Sequence, residues 1–363
     1  MRTKNFFFVT LAILVVFFVF FSGAPKEEEA ELGGELKIIC WEGYDAPMQA
    51  LTEKYGIEIK PTYISNNDEI FTKLKAGAKY DVCSPNHSVV PQLIDNDLII
   101  PLDTSRIPSY RDLFPQFKEF DWNKRGDDLY TVIFTWGSNC INYNPELIDP
   151  IESWHELSNP ELKGKFVLLD DTIGVITAGA KALGIRENTN LLTKQQLDEV
   201  GELLKTWVAN AKAIAPSIGE IVSMFVNKEI AMWASGWEAV DVWCQAEGVP
   251  VTHTYVKEGT LVFIDSYAIC SSATNLPAAY EALNMILNAE VQAQYIAKDL
   301  SAAVTNSKTL DMMDEELRKY YPYDNIDEFF RENNVVGPPP QEPGKYATYA
   351  DWVEKWEEVK AAQ

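Results

Sequence analysis

The sequence is poor in histidine and lacks the motifs of the commonest metal, nucleotide and hydrolase sites. Its 363 residues include 3 histidines, and HExxH, paired CxxC, GxxxxGK(S/T) and GxSxG do not occur. The usual signatures of zinc, NTPase and serine-hydrolase sites are therefore absent. These absences favour binding over catalysis, and we expect no catalytic residue, cofactor or bound metal.

Basic residues are also scarce. The chain has 31 Lys and Arg against 54 Asp and Glu, which gives a formal net charge of -23 at pH 7. Proteins that bind nucleic acids generically gain affinity when basic side chains displace phosphate counterions. The charge balance therefore excludes nucleic acid as a partner.

Cysteines are few and scattered. The 5 cysteines stand in apolar runs such as KIIC and YAIC, and cysteine is among the residue types most often buried. An odd count at dispersed positions assigns no disulfide. We expect these residues to be small members of the core.

The N-terminus has the pattern of an export signal. Arg2 and Lys4 precede a strongly apolar run from Phe6 to Phe21, which is short for a membrane span and typical of a signal peptide. Pro25 is a poor residue after a cleavage site, so residues 1–24 are interpreted as a signal peptide or an uncleaved N-terminal anchor. Residues 25–34 are an acidic tether. We expect a periplasmic or other extracytoplasmic protein.

The folded body alternates short β-rich runs with helical patterns. LKIIC, IEIKPTYI and FVLLD predict strands, whereas residues 46–55, 68–75 and 194–212 have helical patterns. This alternation is typical of βα units, in which helices cover a largely parallel sheet. We therefore predict an α/β fold that becomes mainly helical after Ser272.

The predicted strand ends are rich in aromatic residues and carboxylates. In open parallel α/β sheets, ligands bind beyond the carboxyl ends of the strands. Six such segments contain no Lys or Arg: WEGYD (41–45), SPNHS (84–88), FTWGSN (134–139), DDTIG (170–174), WASGWE (233–238) and FIDSY (263–267). A site for a phosphate or a carboxylated metabolite would normally offer such basic groups. The composition instead indicates an organic cation.

An aliphatic polyamine fits this composition. Its methylene chain needs flat apolar walls, and each of its ammonium groups needs a carboxylate. An aromatic face contributes about 0.5 to 2 kcal/mol per cation–π contact. Trp combined with Asp or Glu is therefore a chemically sensible receptor for this class.

Six segments, in their order and spacing, resemble the polyamine (spermidine/putrescine) substrate-binding proteins of ABC transporters. They are CWEGYDAPM, NNDEIFTKLKAGAKYDV, FTWGSNCINYN, SWHELSNPELKGKFVLLDD, AMWASG and FIDSYAI. The resemblance implies a two-lobed, periplasmic-binding-protein-like (type II) fold whose hinge has two crossing segments. Lobe 1 would comprise 35–137 plus 265–310, and lobe 2 would comprise 138–264 plus 311–363. The implied partners of this monomer are a polyamine, a membrane permease and its ATPase.

The same resemblance implies a ligand site. Asp171 matches an amine-binding carboxylate, Trp233 a stacking wall, and Asp265 the carboxylate that holds a primary ammonium group. Asp265 is also predicted from its surroundings, because an acid flanked by apolar residues is costly to bury unless a cation pairs with it. The full candidate set is Trp41, Glu42, Tyr44, Asn86, Ser88, Asp171, Trp233, Phe263 and Asp265.

Two departures from the family pattern leave the number of bound amines open. Gly174 stands where spermidine-type members usually carry a Glu, and Gly43 stands where they carry an acid before the motif Tyr. The site then has either fewer amine contacts or a rearranged set drawn from Glu42, Asp45, Glu238 and Asp241. A diamine and a triamine both fit.

Several of these residue types also have a purely structural interpretation. A Trp near a strand end is usually a packing residue, and this applies more to Trp136 than to Trp41 or Trp233. One of the acids before residue 172 is expected to cap the next helix. We assign the ligand contact to Asp171, which leaves the cap to Asp170. The tryptophans at helical positions are expected to be core residues: Trp207, Trp237 and Trp243.

Two other ligand classes stay open at this stage. Tyr44 and Tyr267 offer phenolic oxygens for ferric iron or another cationic solute. Carboxylates beside Trp platforms also occur in carbohydrate-binding proteins and glycosidases, although no acid pair is marked by the sequence.

Overall fold

The computed structural model describes residues 32–64, 66–333, 335 and 337–362. The predicted signal peptide or anchor and residues 25–31 of the tether lie outside the described residues. The first strand starts at Glu35, where the sequence predicts the start of the folded body.

Short strands form two main sheets. The strands are β1 Glu35–Trp41, β2 Glu58–Ile64, β3 Val82–Cys83, β4 Lys124–Arg125, β5 Asp128–Leu129, β6 Val132–Ser138, β7 Ile141–Tyr143, β8 Phe166–Leu169, β9 Ala213–Ala215, β10 Met232–Ala234, β11 Thr252–Thr254, β12 Val262–Ile269 and β13 Ala303–Val304. The first sheet has the order β13-β6-β12-β3-β1-β2, and the second has the order β11-β7-β10-β8-β9. β4 and β5 form a separate ribbon.

Both sheets are mixed, so the prediction of a largely parallel sheet is wrong in part. β1 runs parallel to β2 and β3, and β8 runs parallel to β9 and β10. β12 is antiparallel to β3 and β6, and β13 is antiparallel to β6. β7 is antiparallel to both β10 and β11. The antiparallel pairing of β6 with β12 arises because these strands carry the chain in opposite directions between the two sheets.

The chain passes between the sheets at these two adjacent strands. Val262 lies opposite Ser138 in the β6–β12 pair, and the Asn139 N–H donates to the Leu261 carbonyl at 2.8 Å. Gly137 leaves room at this crossing, because a Cβ there would overlap the Phe263 ring. These strands are the two crossing segments of the predicted hinge.

The helices cover the sheets. They are α1 Gln49–Tyr55, α2 Asp68–Lys75, α3 Val90–Asp95, α4 Thr172–Ala182, α5 Lys194–Asn210, α6 Ile218–Val226, α7 Ala239–Ala246, α8 Leu276–Ile286, α9 Ala289–Val291, α10 Glu315–Arg318, α11 Ile326–Glu332 and α12 Tyr349–Lys360. A π-helix, Gln292–Asp299, follows α9. Short 3-10 helices are Ala46–Met48, Thr104–Arg106, Pro108–Asp112, Pro115–Phe117, Asp121–Asn123, Trp154–Ser158, Pro160–Leu162, Ser307–Asp311 and Tyr323–Asn325. α2 has the predicted bounds, with acids in its first turn and lysines in its last, which suits the helix dipole.

The apolar positions fill the space between these layers. All five cysteines are buried and free, which confirms their predicted place in the core. Trp136 is 0% exposed and packs against Phe117 and Phe330, so its packing interpretation is confirmed. α12 packs against α4 and α5 on the second sheet.

Candidate functional site

Asp265 lies in the middle of β12, at a break in the strand register. The register with β6 shifts between Asp265 and Ser266, and Asn86 forms an isolated bridge with Asp265. The interpretation of this segment as a strand end is wrong, because β12 continues to Ile269. A register irregularity re-aims a side chain. The irregularity can therefore present the Asp265 side chain for binding, as the end of a strand does for the side chains that follow it.

Two neutral donors hold the Asp265 carboxylate, which is 5% exposed. The Tyr44 hydroxyl donates to Oδ2 at 2.6 Å, and Asn86 Nδ2 donates to Oδ1 at 2.8 Å. Burial raises the pKa of Asp265, and the hydrogen bonds from Tyr44 and Asn86 oppose that rise. No cationic side chain within the described ranges contributes to the shift. The group is thus a buried acceptor suited to a cation from outside the chain.

The loop after β1 places Tyr44 beside this carboxylate. Gly43 has a φ of 88°, a conformation that glycine adopts without strain. The Tyr267 hydroxyl donates to the Tyr44 carbonyl at 2.7 Å. The ring of Tyr44 also packs edge-on against the ring of Phe134, with 4.9 Å between the ring centroids. The backbone conformation at position 43 therefore favours glycine over the acid of the family pattern. The neighbouring Glu42 is exposed and does not contact Asp265.

Ser88 positions Asn86 through the backbone. The Ser88 N–H donates to Asn86 Oδ1 at 3.1 Å, so the Asn86 amide turns its Nδ2 towards Asp265. The neighbouring His87 N–H donates to the Ile264 carbonyl at 2.8 Å. This loop is therefore joined to β12 on both sides of the bridge. Ser88 itself is half-buried.

Trp41 and Phe263 are half-buried aromatic residues at the same sheet. Trp41 Nε1 donates to Asn67 Oδ1 at 3.3 Å. Phe263 meets Trp237 edge-on, with 5.9 Å between centroids. Trp233 is different, because it lies in β10 of the second sheet and is 1% exposed. The stacking role of Trp233 stays a prediction.

Asp171 is the N-cap of α4, and the assignment of that cap to Asp170 is wrong. Asp171 Oδ1 accepts from the Ile173 N–H at 3.1 Å. Burial raises the pKa of Asp171, while the N–H groups of Gly174 and Ile173 oppose the rise. Asp170 instead accepts from Trp356 Nε1 at 2.7 Å and from Lys360 Nζ at 3.0 Å. The amine contact of Asp171 stays a prediction.

Gly174 has a steric reason to lack a side chain. A Cβ at this position would overlap Asp171 Oδ2 and would lie 3.1 Å from Ser235 Oγ. The capping carboxylate of Asp171 therefore occupies the space next to α4 that a longer residue would need. Any side chain at position 174 would therefore require the Asp171 carboxylate to move.

Two further buried acids form a network at the crossing strands, which we call the crossing network: Glu238, Asp241, His253, Ser138, Asn142 and Tyr255. Glu238 accepts from the Ser138 N–H at 3.0 Å, the Ser138 hydroxyl at 2.5 Å and the Tyr255 hydroxyl at 3.1 Å. Asp241 accepts from Asn142 Nδ2 at 2.8 Å and contacts His253 Nδ1 at 2.6 Å. Both acids are 0% exposed. Glu238 and Asp241 belong to the alternative set of amine-binding acids considered above. Both therefore already have hydrogen-bond partners within the chain.

His253 is the basic group of the crossing network. Burial lowers the pKa of His253, but the hydrogen bond and charge of Asp241, together with Glu238, produce a net rise. Burial raises the pKa of Glu238, and His253 and Ser138 oppose that rise. The crossing network therefore pairs its buried acids with a basic group of the chain itself.

Two further features are absent among the described residues: a cluster of metal ligands and a membrane-spanning helix. Across these ranges, no group of three or more His, Cys, Asp and Glu side chains is arranged to hold a metal ion. In the same part of the chain, no helix is both long and apolar enough to cross a membrane. The groups gathered at Asp265 are its carboxylate, the Tyr44 phenol and the Asn86 amide.

Comparison with known proteins supplies the family. The sequence profile of the bacterial extracellular solute-binding proteins matches residues 46–317. The chain belongs to this family. This solute-binding protein is 25% identical over 288 residues to the spermidine/putrescine-binding periplasmic protein of Escherichia coli, which covers 74% of this chain and 81% of the relative. It is also 25% identical over 306 residues to a putrescine-binding periplasmic protein of the same organism, with 78% and 81% covered.

A solved structure shares the fold of this solute-binding protein. The spermidine/putrescine ABC transporter substrate-binding protein from Streptococcus pneumoniae superposes with a TM-score of 0.73 at 22% identity. The match covers 90% of this chain and 97% of the other. The predicted two-lobed type II α/β fold is thereby confirmed, as is the resemblance to polyamine-binding relatives.

Sequence reasoning missed three residues around the site of this solute-binding protein. Asn67 and Asp68 are the N-cap and the first residue of α2, three and four residues after β2 ends at Ile64, so the strand-end rule applied to the other segments would have found them. Tyr349, at the start of α12, hydrogen-bonds to Asp68 at 3.1 Å. No local pattern marks Tyr349, because its partner lies 281 residues away in the sequence.

Proposed function

We propose that this solute-binding protein captures a polyamine such as putrescine or spermidine between its lobes and delivers it to an ABC permease for import. The observation that carries the proposal is the buried Asp265 carboxylate, whose hydrogen-bond donors among the described residues are the neutral groups of Tyr44 and Asn86. An ammonium group would supply the missing charge through a charge-assisted hydrogen bond. Trp41 and Phe263 would provide apolar walls for the methylene chain.

The electrostatics of the whole chain support a cationic solute. With a net charge of -23, the protein attracts cations over long range and raises their rate of encounter. Closure of the lobes then removes water from the ammonium–carboxylate pair and stabilises the closed state through differential binding. The names of the polyamine-binding relatives point to the same ligand class.

The geometry gives less support to ferric iron. An iron site would need free phenolic oxygens, but the Tyr44 hydroxyl donates to Asp265 and the Tyr267 hydroxyl donates to a backbone carbonyl. Tyr267 is also fully buried.

Delivery to a transporter defines the partners and the compartment. We propose a membrane permease driven by a cytoplasmic ATPase as the partner of the closed form. The binding protein would act as an exported, extracytoplasmic monomer without chemistry on its ligand.

Titration calorimetry tests the ligand class. The panel is putrescine, cadaverine, spermidine and spermine, with a neutral oligosaccharide and ferric citrate as controls. We expect one-to-one binding of at least one polyamine and no heat from either control. The absence of binding heat with all four polyamines would contradict the proposal. Binding heat with ferric citrate would favour an iron-binding protein instead.

A matched pair of variants ties the binding to the site. Asp265→Asn keeps the size and shape of the side chain and removes its charge, while one of its two acceptor oxygens becomes an amide donor. Asp121→Asn removes a charge from an exposed position. We expect the first variant to lose polyamine affinity and the second to keep it. Equal affinities in both variants would remove Asp265 from the site.

A further inference from the structure

A hydrogen bond joins the two sheet units away from the crossing strands. The Tyr349 hydroxyl donates to Asp68 Oδ2 at 3.1 Å. Asp68 is the first residue of α2, which follows β2 of the first sheet. Tyr349 is the first residue of α12, which packs on α4 and α5 beside the second sheet. The contact therefore spans the two units without using the hinge.

The Tyr349 end of this contact is firmly placed. A capping box between Thr348 and Asp351 starts α12. Near the other end of the helix, Trp356 and Lys360 both donate to Asp170, the neighbour of the Asp171 cap. Tyr349 therefore moves together with the strand end that carries Asp171.

The Asp68 end is connected to the aromatic wall of the candidate site. Its neighbour Asn67 is half-buried and accepts from Trp41 Nε1 at 3.3 Å. A displacement of the β2–α2 loop would therefore disturb the ring of Trp41 as well as the contact with Tyr349.

The charges around Tyr349 keep its hydroxyl a donor. Burial raises the pKa of Tyr349, and the carboxylates of Asp68 and Asp171 raise it further. The phenol thus stays protonated at neutral pH. A phenol that donates to a carboxylate forms a charge-assisted hydrogen bond, which is stronger than a neutral one. Asp68 is exposed, so solvent screens part of that gain.

We infer that Tyr349 and Asp68 form a latch that stabilises the closed arrangement of the two lobes and slows ligand release. The effect on release rests on the proposed polyamine function, whereas the effect on closure does not. Asn67 links the latch to Trp41, so closing the latch also fixes one wall of the binding site.

Release kinetics test the latch. Dissociation of spermidine and of putrescine is followed by stopped-flow tryptophan fluorescence in Tyr349→Phe, Asp68→Ala and the double variant. We expect each single variant to release ligand roughly five- to tenfold faster, which is the order expected for one lost hydrogen bond. The double variant should be no faster than the singles. Unchanged rates, or multiplicative effects in the double variant, would overturn the latch.

A tyrosine three residues away provides the matched control. Tyr346 accepts a hydrogen bond from its neighbour Lys345 at 3.2 Å. Tyr346→Phe should leave release unchanged. An equal acceleration in this variant would show that any lost hydroxyl in the segment has the same effect, which would contradict a specific contact.

A distance measurement separates the latch from the proposed function. Spin labels at Thr72→Cys in α2 and Glu354→Cys in α12 occupy exposed positions, whereas the five native cysteines are buried. Without ligand, Tyr349→Phe should shift the label distances to longer values. An unchanged distribution overturns the latch. If the wild-type protein binds no polyamine, the proposed function fails while these distances still decide the latch.

Discussion

Asp265 and Asp241 are both buried carboxylates, but their hydrogen-bond partners differ in kind. Asp241 contacts the His253 imidazole at 2.6 Å within the crossing network. Asp265 receives hydrogen bonds from Tyr44 and Asn86, neither of which carries a charge. Burial of an acid therefore does not by itself mark a binding site in this protein. Asp265 differs from Asp241 in that no cationic side chain of the described residues contributes to its electrostatics.

Removal of the Asp265 carboxylate should have the largest effect. Asp265→Ala is expected to lose about 2 to 5 kcal/mol of polyamine binding, as when one partner of a buried charge pair is deleted. Calorimetry with the tightest polyamine measures the loss. Asp241→Asn, in the crossing network, is the control, and the folded variant should keep its polyamine affinity. A similar loss in both variants would erase the distinction between the two acids.

The internal pair at Asp241 should affect stability rather than binding. His253→Gln is expected to lower the free energy of unfolding at pH 6 by about 1.5 to 3 kcal/mol, the value of a hydrogen bond to a charged group. Urea denaturation measures the change.

The same variant has a pH signature. The pKa of His253 is raised above its ordinary 6.5. The stability from its charged form is therefore fully present below pH 6.5 and is lost as the pH rises through the raised pKa. The difference between wild type and His253→Gln should shrink at pH 9. A difference that stays constant with pH would contradict the charged pair.

Neutralisation of Asp265 should stabilise the ligand-free protein. The pKa of Asp265 is raised above its ordinary 3.8, so the stability linked to its protonated form is lost as the pH rises through that pKa. Asp265→Asn should gain about 0.5 to 2 kcal/mol at pH 7, a common trade-off at functional sites. Thermal unfolding without ligand measures the gain. A less stable variant would indicate a structural role for the charge.

The smallest expected effect concerns Gly174. With Asp171 present, Gly174→Ala pushes the capping carboxylate aside, because the new Cβ would overlap Oδ2. In an Asp171→Ala background, the same change should stabilise α4 by about 0.5 to 1 kcal/mol, since Ala is a better helix former than Gly. A double-mutant cycle in urea compares the two backgrounds. Equal effects of Gly174→Ala in both would refute the steric account of this departure.

Local patterns predicted much of the fold. The strand at β1 and the helix α2 follow from apolar periodicity, and the cysteines follow from their apolar neighbours. The antiparallel crossing of β6 and β12 depends on where the chain returns from the second sheet. A short window of sequence does not contain that information.

In the candidate site, too, some residues were predictable from local sequence and others were not. Asp265 was predictable from its apolar flanks, because an acid in such a run needs a partner. The choice of helix cap between Asp170 and Asp171 was not predictable, since Trp356 and Lys360 decide it by binding Asp170 from a distant helix. Tyr349 likewise reaches Asp68 only through the packing of α12.

A crystal structure of the protein with spermidine or putrescine tests the central claim most directly. The measured quantity is the distance from the nearest ligand nitrogen to the Asp265 carboxylate oxygens. We predict about 2.7 to 2.9 Å, the usual length of a charge-assisted hydrogen bond, with Tyr44 and Asn86 still donating to the same group. An ordered polyamine that leaves Asp265 without an ammonium contact would contradict the account.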